Sequence, residues 1–123
     1  MKITGFCPII ITKEAEKVAA VFEALGFEKR HTKTGIEDGA NTAYAFKDAE
    51  GNRIVVASSE TIPQDLTAIN INVDNFQEAY DFFLAQGFVN PRGDKVTDTS
   101  SSRATMLFSP SGYAVSIAEH IKS

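Results

Sequence analysis

Ala24-Leu25-Gly26-Phe27 recurs as Ala85-Gln86-Gly87-Phe88, and the step from Gly26 to Gly87 is 61 residues. Held without a gap, the same step carries Ala43 onto Ala104, Gly51 onto Gly112 and Ala57 onto Ala118. A constant register over half a chain is the signature of an internal duplication, and it governs how every element is assigned. The 123 residues are therefore expected to form one domain made of two repeats, at about 1–61 and 62–123.

Each repeat contains the same devices. Cys7 to Ile11 is an apolar, β-branched run of strand character. Thr12 is placed to cap a helix reaching about Leu25, along which Val18, Val21, Phe22 and Leu25 make one apolar stripe. Gly26 ends that helix, because a left-handed C′ residue is cheapest as glycine, and Phe27 packs back on the last turn. In the second repeat Ala68 to Val73 is the strand and Asp74 the expected cap, with Gln77 completing a capping box. Phe76, Ala79, Tyr80 and Phe83 form the stripe, and Gly87-Phe88 the stop.

Strand-like segments follow each helix. Thr42 to Phe46 and Arg53 to Ala57 correspond to Arg103 to Phe108 and Tyr113 to Ala118. The turns between them, Asp48-Ala49-Glu50-Gly51 and Ser109-Pro110-Ser111-Gly112, both place an acceptor side chain first and glycine fourth. A shorter strand is expected in each of the stretches Phe27 to Lys33 and Phe88 to Val96. The outcome is an α+β fold of two tandem βαβββ modules.

Composition narrows the functions available. A net charge of −4 and scattered Lys and Arg disfavour a nucleic-acid or anionic-membrane surface. The same acidity modestly favours a cationic ligand over an anionic one. A single cysteine excludes an internal disulfide. No apolar run approaches the length of a membrane span, and Met1 to Phe6 lacks the pattern of a secretory leader, so a cytoplasmic location is expected.

The doubled order resembles the vicinal oxygen chelate superfamily, which includes glyoxalase I, extradiol dioxygenases, and fosfomycin- and bleomycin-resistance proteins. The resemblance is carried by Val21-Phe22-Glu23-Ala24-Leu25-Gly26-Phe27, by Asp48-Ala49-Glu50-Gly51-Asn52-Arg53-Ile54 and by Ser109-Pro110-Ser111-Gly112. It implies a glyoxalase/bleomycin resistance-like fold and a homodimer. It also implies four metal-ligand positions, which fall here on Cys7, Val55, Ala68 and Ser116. Catalytic divalent sites take about three imidazole or carboxylate ligands. This set offers one thiol and one hydroxyl, so no metal and no cofactor are expected. His31, near Glu37 and Asp38, and His120 are read as exposed polar residues.

Strand alternation assigns the faces. If the four positions point inward, so do Ile9, Ile11, Arg53, Ala57, Asn70, Asn72, Ala114 and Ala118. Ile10, Ile54, Val56, Ile69, Ile71, Val115 and Ile117 then lie beneath the helices. The inward set combines apolar wall, small side chains and a few amide and hydroxyl groups, the usual make-up of a small-molecule site. Arg103 opens a central strand, and Tyr44 and Phe46 lie on the corresponding strand of the other module, an arrangement that can recognise an anion by charge and stacking. Expected ligand-binding residues are thus Cys7, Tyr44, Asn70, Asn72, Arg103 and Ser116. The leading expectation is a metal-free protein that sequesters or senses a small, partly aromatic ligand. The alternatives are a metal-independent lyase or isomerase using Cys7, Arg103 or Glu37, and a non-catalytic dimeric interaction module.

Overall fold

Two helices ended by the same glycine device anchor the two repeats. In the computed structural model, which describes residues 1–36, 41–60, 62–98 and 102–120, α1 spans Ala15–Ala24 and α2 spans Phe76–Ala85. Past α1, Gly26 N–H donates to Glu23 O at 3.1 Å and Phe27 N–H to Phe22 O at 3.0 Å. Past α2, Gly87 N–H reaches Leu84 O and Phe88 N–H reaches Phe83 O, each at 3.0 Å. Both glycines hold positive φ, at 108° and 92°, and both stops close with an edge-to-face ring pair, Phe22–Phe27 and Phe83–Phe88. These are Schellman ends, with the apolar contact that accompanies them.

The strands are β1 Ile3–Thr12, β2 Glu28–Ile36, β3 Asn41–Lys47, β4 Arg53–Ser58, β5 Leu66–Val73, β6 Thr97–Asp98, β7 Ser102–Phe108 and β8 Ala114–His120. Strand, helix and three strands occur twice, which is the expected α+β arrangement of tandem βαβββ modules. The duplication reaches individual ladder pairs. Ile9 faces Val55 as Asn70 faces Ser116, and Ala45 faces Val55 as Met106 faces Ser116.

Chain contacts define two units, Cys7–Thr67 and Met1–Phe6 together with Ala68–Ser123. The start of β1 thus belongs with the second module's unit, a division not anticipated by repeat boundaries at about 1–61 and 62–123. Asp74 N–H donates to Lys2 O at 3.0 Å, and Lys2 N–H donates to Asp74 Oδ1 at 2.6 Å. In the Cys7–Thr67 unit the order is β2-β3-β4-β1, and Ile10, Ile54, Val56, Tyr44 and Phe46 pack with Ala15, Ala19 and Phe22 of α1. In the other unit the order is β5-β8-β7-β6, and Ile71, Val73, Leu107, Val115 and Ile117 pack with Phe76, Ala79 and Phe88.

Local expectations shift at three places. Asp74 does not cap α2, because its carboxylate is engaged by Lys2; Asn75 is the N-cap and accepts from Glu78 N–H at 3.0 Å. Gln77 completes no capping box and donates instead to Asp81 Oδ1 at 2.9 Å. Thr12 lies outside α1, whose N-cap is Glu14, and its hydroxyl accepts from Glu14 N–H at 3.0 Å. Of the two shorter strands, β2 is nine residues long, whereas the stretch Phe88 to Val96 holds one bridge, Val89 to Phe108, before β6. Its turn is tied by Asn90, which accepts from Arg92 N–H and donates to Lys95 O. Ile69 shares the face of Ile71 but stays 38% exposed and outside the packed cluster.

Candidate functional site

Alternation along β5, β7 and β8 sorts the second module's unit into two faces. Positions 69, 71, 73, 105, 107, 115 and 117 point toward α2. The opposite face presents Ala68, Asn70 and Asn72 from β5, Ala104, Met106 and Phe108 from β7, and Ala114, Ser116 and Ala118 from β8. None of these side chains carries a charge, and four of the nine are alanine.

Asn70, Asn72 and Ser116 come together on this face. Asn70 is the register partner of Ser116, and its Nδ2 donates to Asn72 Oδ1 at 3.3 Å. Asn70 is 9% exposed, while Asn72 and Ser116 are half-buried. Burying an amide is unfavourable unless its hydrogen bonds are met, so a part-buried amide pair beside a hydroxyl on a largely apolar face is a candidate recognition element.

Arg103 and Tyr44 sit elsewhere. Arg103 is the register partner of Glu119 on the α2 side, with its guanidinium carbon 4.9 Å from the Phe76 ring centroid and Nε 3.8 Å from Asp98. Its aromatic neighbour is therefore Phe76 of its own unit, a contact invisible to a comparison of corresponding strands. Glu119 Oε1 accepts from Phe76 N–H at 2.6 Å, so carboxylates already flank the arginine. Tyr44 belongs to the cluster beneath α1, with Lys29 Nζ 4.4 Å from its ring centroid.

The Cys7–Thr67 unit also has a shallow cleft of about 280 Å³ at the start of α1, lined by Lys13, Glu14, Ala15, Glu16, Thr42, Tyr44 and Ser58. Ser58 Oγ already accepts from Thr42 N–H at 2.7 Å. Acidic and basic side chains share the rim, so the cleft has no clear charge preference.

Of the four positions that resemblance assigns to metal ligands, Cys7 and Val55 lie in one unit, and Ala68 and Ser116 in the other. One buried thiol and one hydroxyl, with valine and alanine at the other two positions, do not fit a divalent cation held by imidazole and carboxylate. Among the described residues no three His, Cys, Asp or Glu side chains cluster as ligands. His31 and His120 are exposed; Glu37 and Asp38 fall outside the described residues. The structure extends β1 past the expected run to include Gly5, a lone glycine in a strand interior.

No protein-family model matches the chain, and no curated protein matches it. Solved structures do. A Streptomyces coelicolor methylmalonyl-CoA epimerase has a TM-score of 0.67 at 15% identity, covering 98% of this chain and 100% of its own. Glyoxalase I from Zea mays has a TM-score of 0.66 at 16% identity, covering 98% of this chain and 44% of its own. A glyoxalase/bleomycin resistance protein/dioxygenase superfamily member from Vibrio splendidus 12B01 has a TM-score of 0.59 at 14% identity, with coverages of 96% and 99%. Identities this low carry architecture and not activity. The chain has the vicinal oxygen chelate fold, that of glyoxalase I, methylmalonyl-CoA epimerase and the glyoxalase/bleomycin resistance/dioxygenase superfamily.

Proposed function

We propose that this protein binds a small, partly aromatic molecule without a metal, sequestering or sensing it, on the sheet face that carries Asn70, Asn72 and Ser116. The observation that supports the reading is the part-buried amide pair, Asn70 Nδ2 to Asn72 Oδ1 at 3.3 Å, flanked by Ala68, Ala114 and Ala118 on the face opposite α2. Apolar wall and a few fixed polar groups suit a ligand with a flat apolar body and one polar edge. The donor chemistry at Cys7, Val55, Ala68 and Ser116 supports the metal-free part. Arg103, stacked on Phe76 and close to Asp98, lends no support to a lyase or isomerase that depends on it. A homodimer is part of the proposal, as the family resemblance implies. No helix among the described residues is long and apolar enough to cross a membrane.

The test is a screen of small aromatic compounds by thermal shift, repeated with chelator and with added divalent ions. Binding should survive chelator and weaken by about tenfold in Asn70→Leu, the scale of one lost hydrogen bond. Stoichiometric metal that raises the melting temperature, or a screen that yields no binder, would overturn the reading. A monomer in sedimentation equilibrium at micromolar concentration would remove the homodimer.

A further inference from the structure

Gly5 lies in the same unit as Asn72, and the two are in close approach. A β-carbon built at Gly5 would stand 2.8 Å from Asn72 Nδ2 and 3.4 Å from its Cβ. Real β-carbons do not tolerate the shorter distance. Gly5 is not among the glycines with positive φ, so the backbone there suits any residue. The missing side chain serves Asn72 and not the course of the chain.

The consequence is directional. Asn72 Oδ1 is taken by Asn70 Nδ2, which leaves the nitrogen end of the Asn72 amide over Gly5. Among the described residues that NH2 group has no acceptor. It is half-buried, and an NH2 group gains most from an acceptor supplied in a partly desolvated place. The Ser116 hydroxyl, beside Asn70 in the ladder, is a second group able to donate. Ala68, Ala114, Ser116 and Ala118, which flank the amide pair in the ladder, carry no charge, so a carboxylate placed beside the pair would lose hydration with no adjacent counter-charge to offset it. An ammonium group would meet the donor end of the amide and be repelled.

We infer that Gly5 is a specificity-determining position, which holds the Asn72 amide with its NH2 outward so that the face selects uncharged ligands bearing a carbonyl or amide oxygen. This rests on the reading of the face as a binding surface, and it names the ligand's polar edge.

Four single-ring probes separate the possibilities: benzamide, benzoate, benzylammonium and toluene, titrated into the ¹⁵N-labelled full chain. Benzamide should move the Asn72 side-chain NH2 resonances and bind about tenfold tighter than toluene. Gly5→Ala should erase that preference while leaving toluene binding in place. In an Asn72→Ala background, Gly5→Ala should change nothing further, a cycle that separates loss of the amide's position from loss of fold. The inference is overturned if Gly5→Ala keeps the benzamide-to-toluene ratio, or if benzoate or benzylammonium binds best; probe binding at Asn70 and Ser116 would then leave the binding-surface reading standing. If no probe moves any resonance of this face, both readings fall.

Discussion

Glu119, on β8, accepts a 2.6 Å hydrogen bond from the backbone N–H of Phe76, the first residue of α2. A carboxylate from another strand thus answers one of the four amides that a helix start leaves without intrahelical partners. Its register partner, Arg103, stacks on the same Phe76 ring, so strand, helix start and guanidinium form one local assembly. Glu119→Ala should cost about 1.5–3 kcal/mol, the range for a hydrogen bond to a charged group. Glu119→Gln, which keeps an acceptor oxygen, should cost less. Urea unfolding of the two variants checks the order.

Asp48 predicts an acid response. The Asn52 side-chain hydrogen bond is the main force holding its carboxyl below the ordinary value of 3.8, helped by the backbone N–H groups of Asn52, Glu50 and Gly51. A carboxyl depressed in the folded state adds stability above its unfolded pKa and loses it as pH falls through the folded pKa. Asp48→Asn keeps the turn's acceptor oxygen but cannot titrate. Its stability should therefore fall less steeply than that of the unaltered protein as pH drops below about 5, a comparison made by thermal melts across acid pH.

Much of this architecture was legible because the signals are local. Apolar stripes, glycine stops and acceptor-first turns depend on neighbours within a few residues, and duplication doubled each one. The cap of α2 lies one residue beyond Asp74 for a non-local reason: Asp74 is engaged by Lys2, 72 positions away. Strand alternation placed Asn70, Asn72 and Ser116 on one face correctly. Arg103 and Tyr44 lie on corresponding strands, but alternation along those strands sets them on the helix sides with Glu119 and Val56, away from that face. Gly5 needed coordinates, because its meaning lies in a side chain brought to it from β5.

The twin glycine stops are not equivalent. A β-carbon at Gly26 would meet nothing within 4 Å, whereas one at Gly87 would stand 3.1 Å from Pro110 Cγ. Gly26→Ala should cost about 1–2 kcal/mol for left-handed backbone alone. Gly87→Ala should cost more, by the crowding of a proline ring that cannot swing aside. Equal losses in paired urea unfolding curves would mean that the Pro110 turn yields without cost.

The starts of the two helices differ in a way that substitution can expose. Asn75 caps α2 through its own side chain, but Glu14 makes no side-chain cap on α1. What steadies the α1 entry is Thr12, fully buried, whose hydroxyl accepts from Glu14 N–H at 3.0 Å. Asn75→Ala should therefore cost about 1 kcal/mol, a normal cap loss. Glu14→Ala should change stability by less than about 0.5 kcal/mol, as exposed sites without a structural role do. Thr12→Val keeps the volume but removes the acceptor and leaves the part-buried Glu14 amide unmet, at about 1–3 kcal/mol. If Glu14→Ala proved the costlier of the α1 pair in chemical denaturation, the helix would be held by the Glu14 charge at its N-cap and not by the buried hydroxyl.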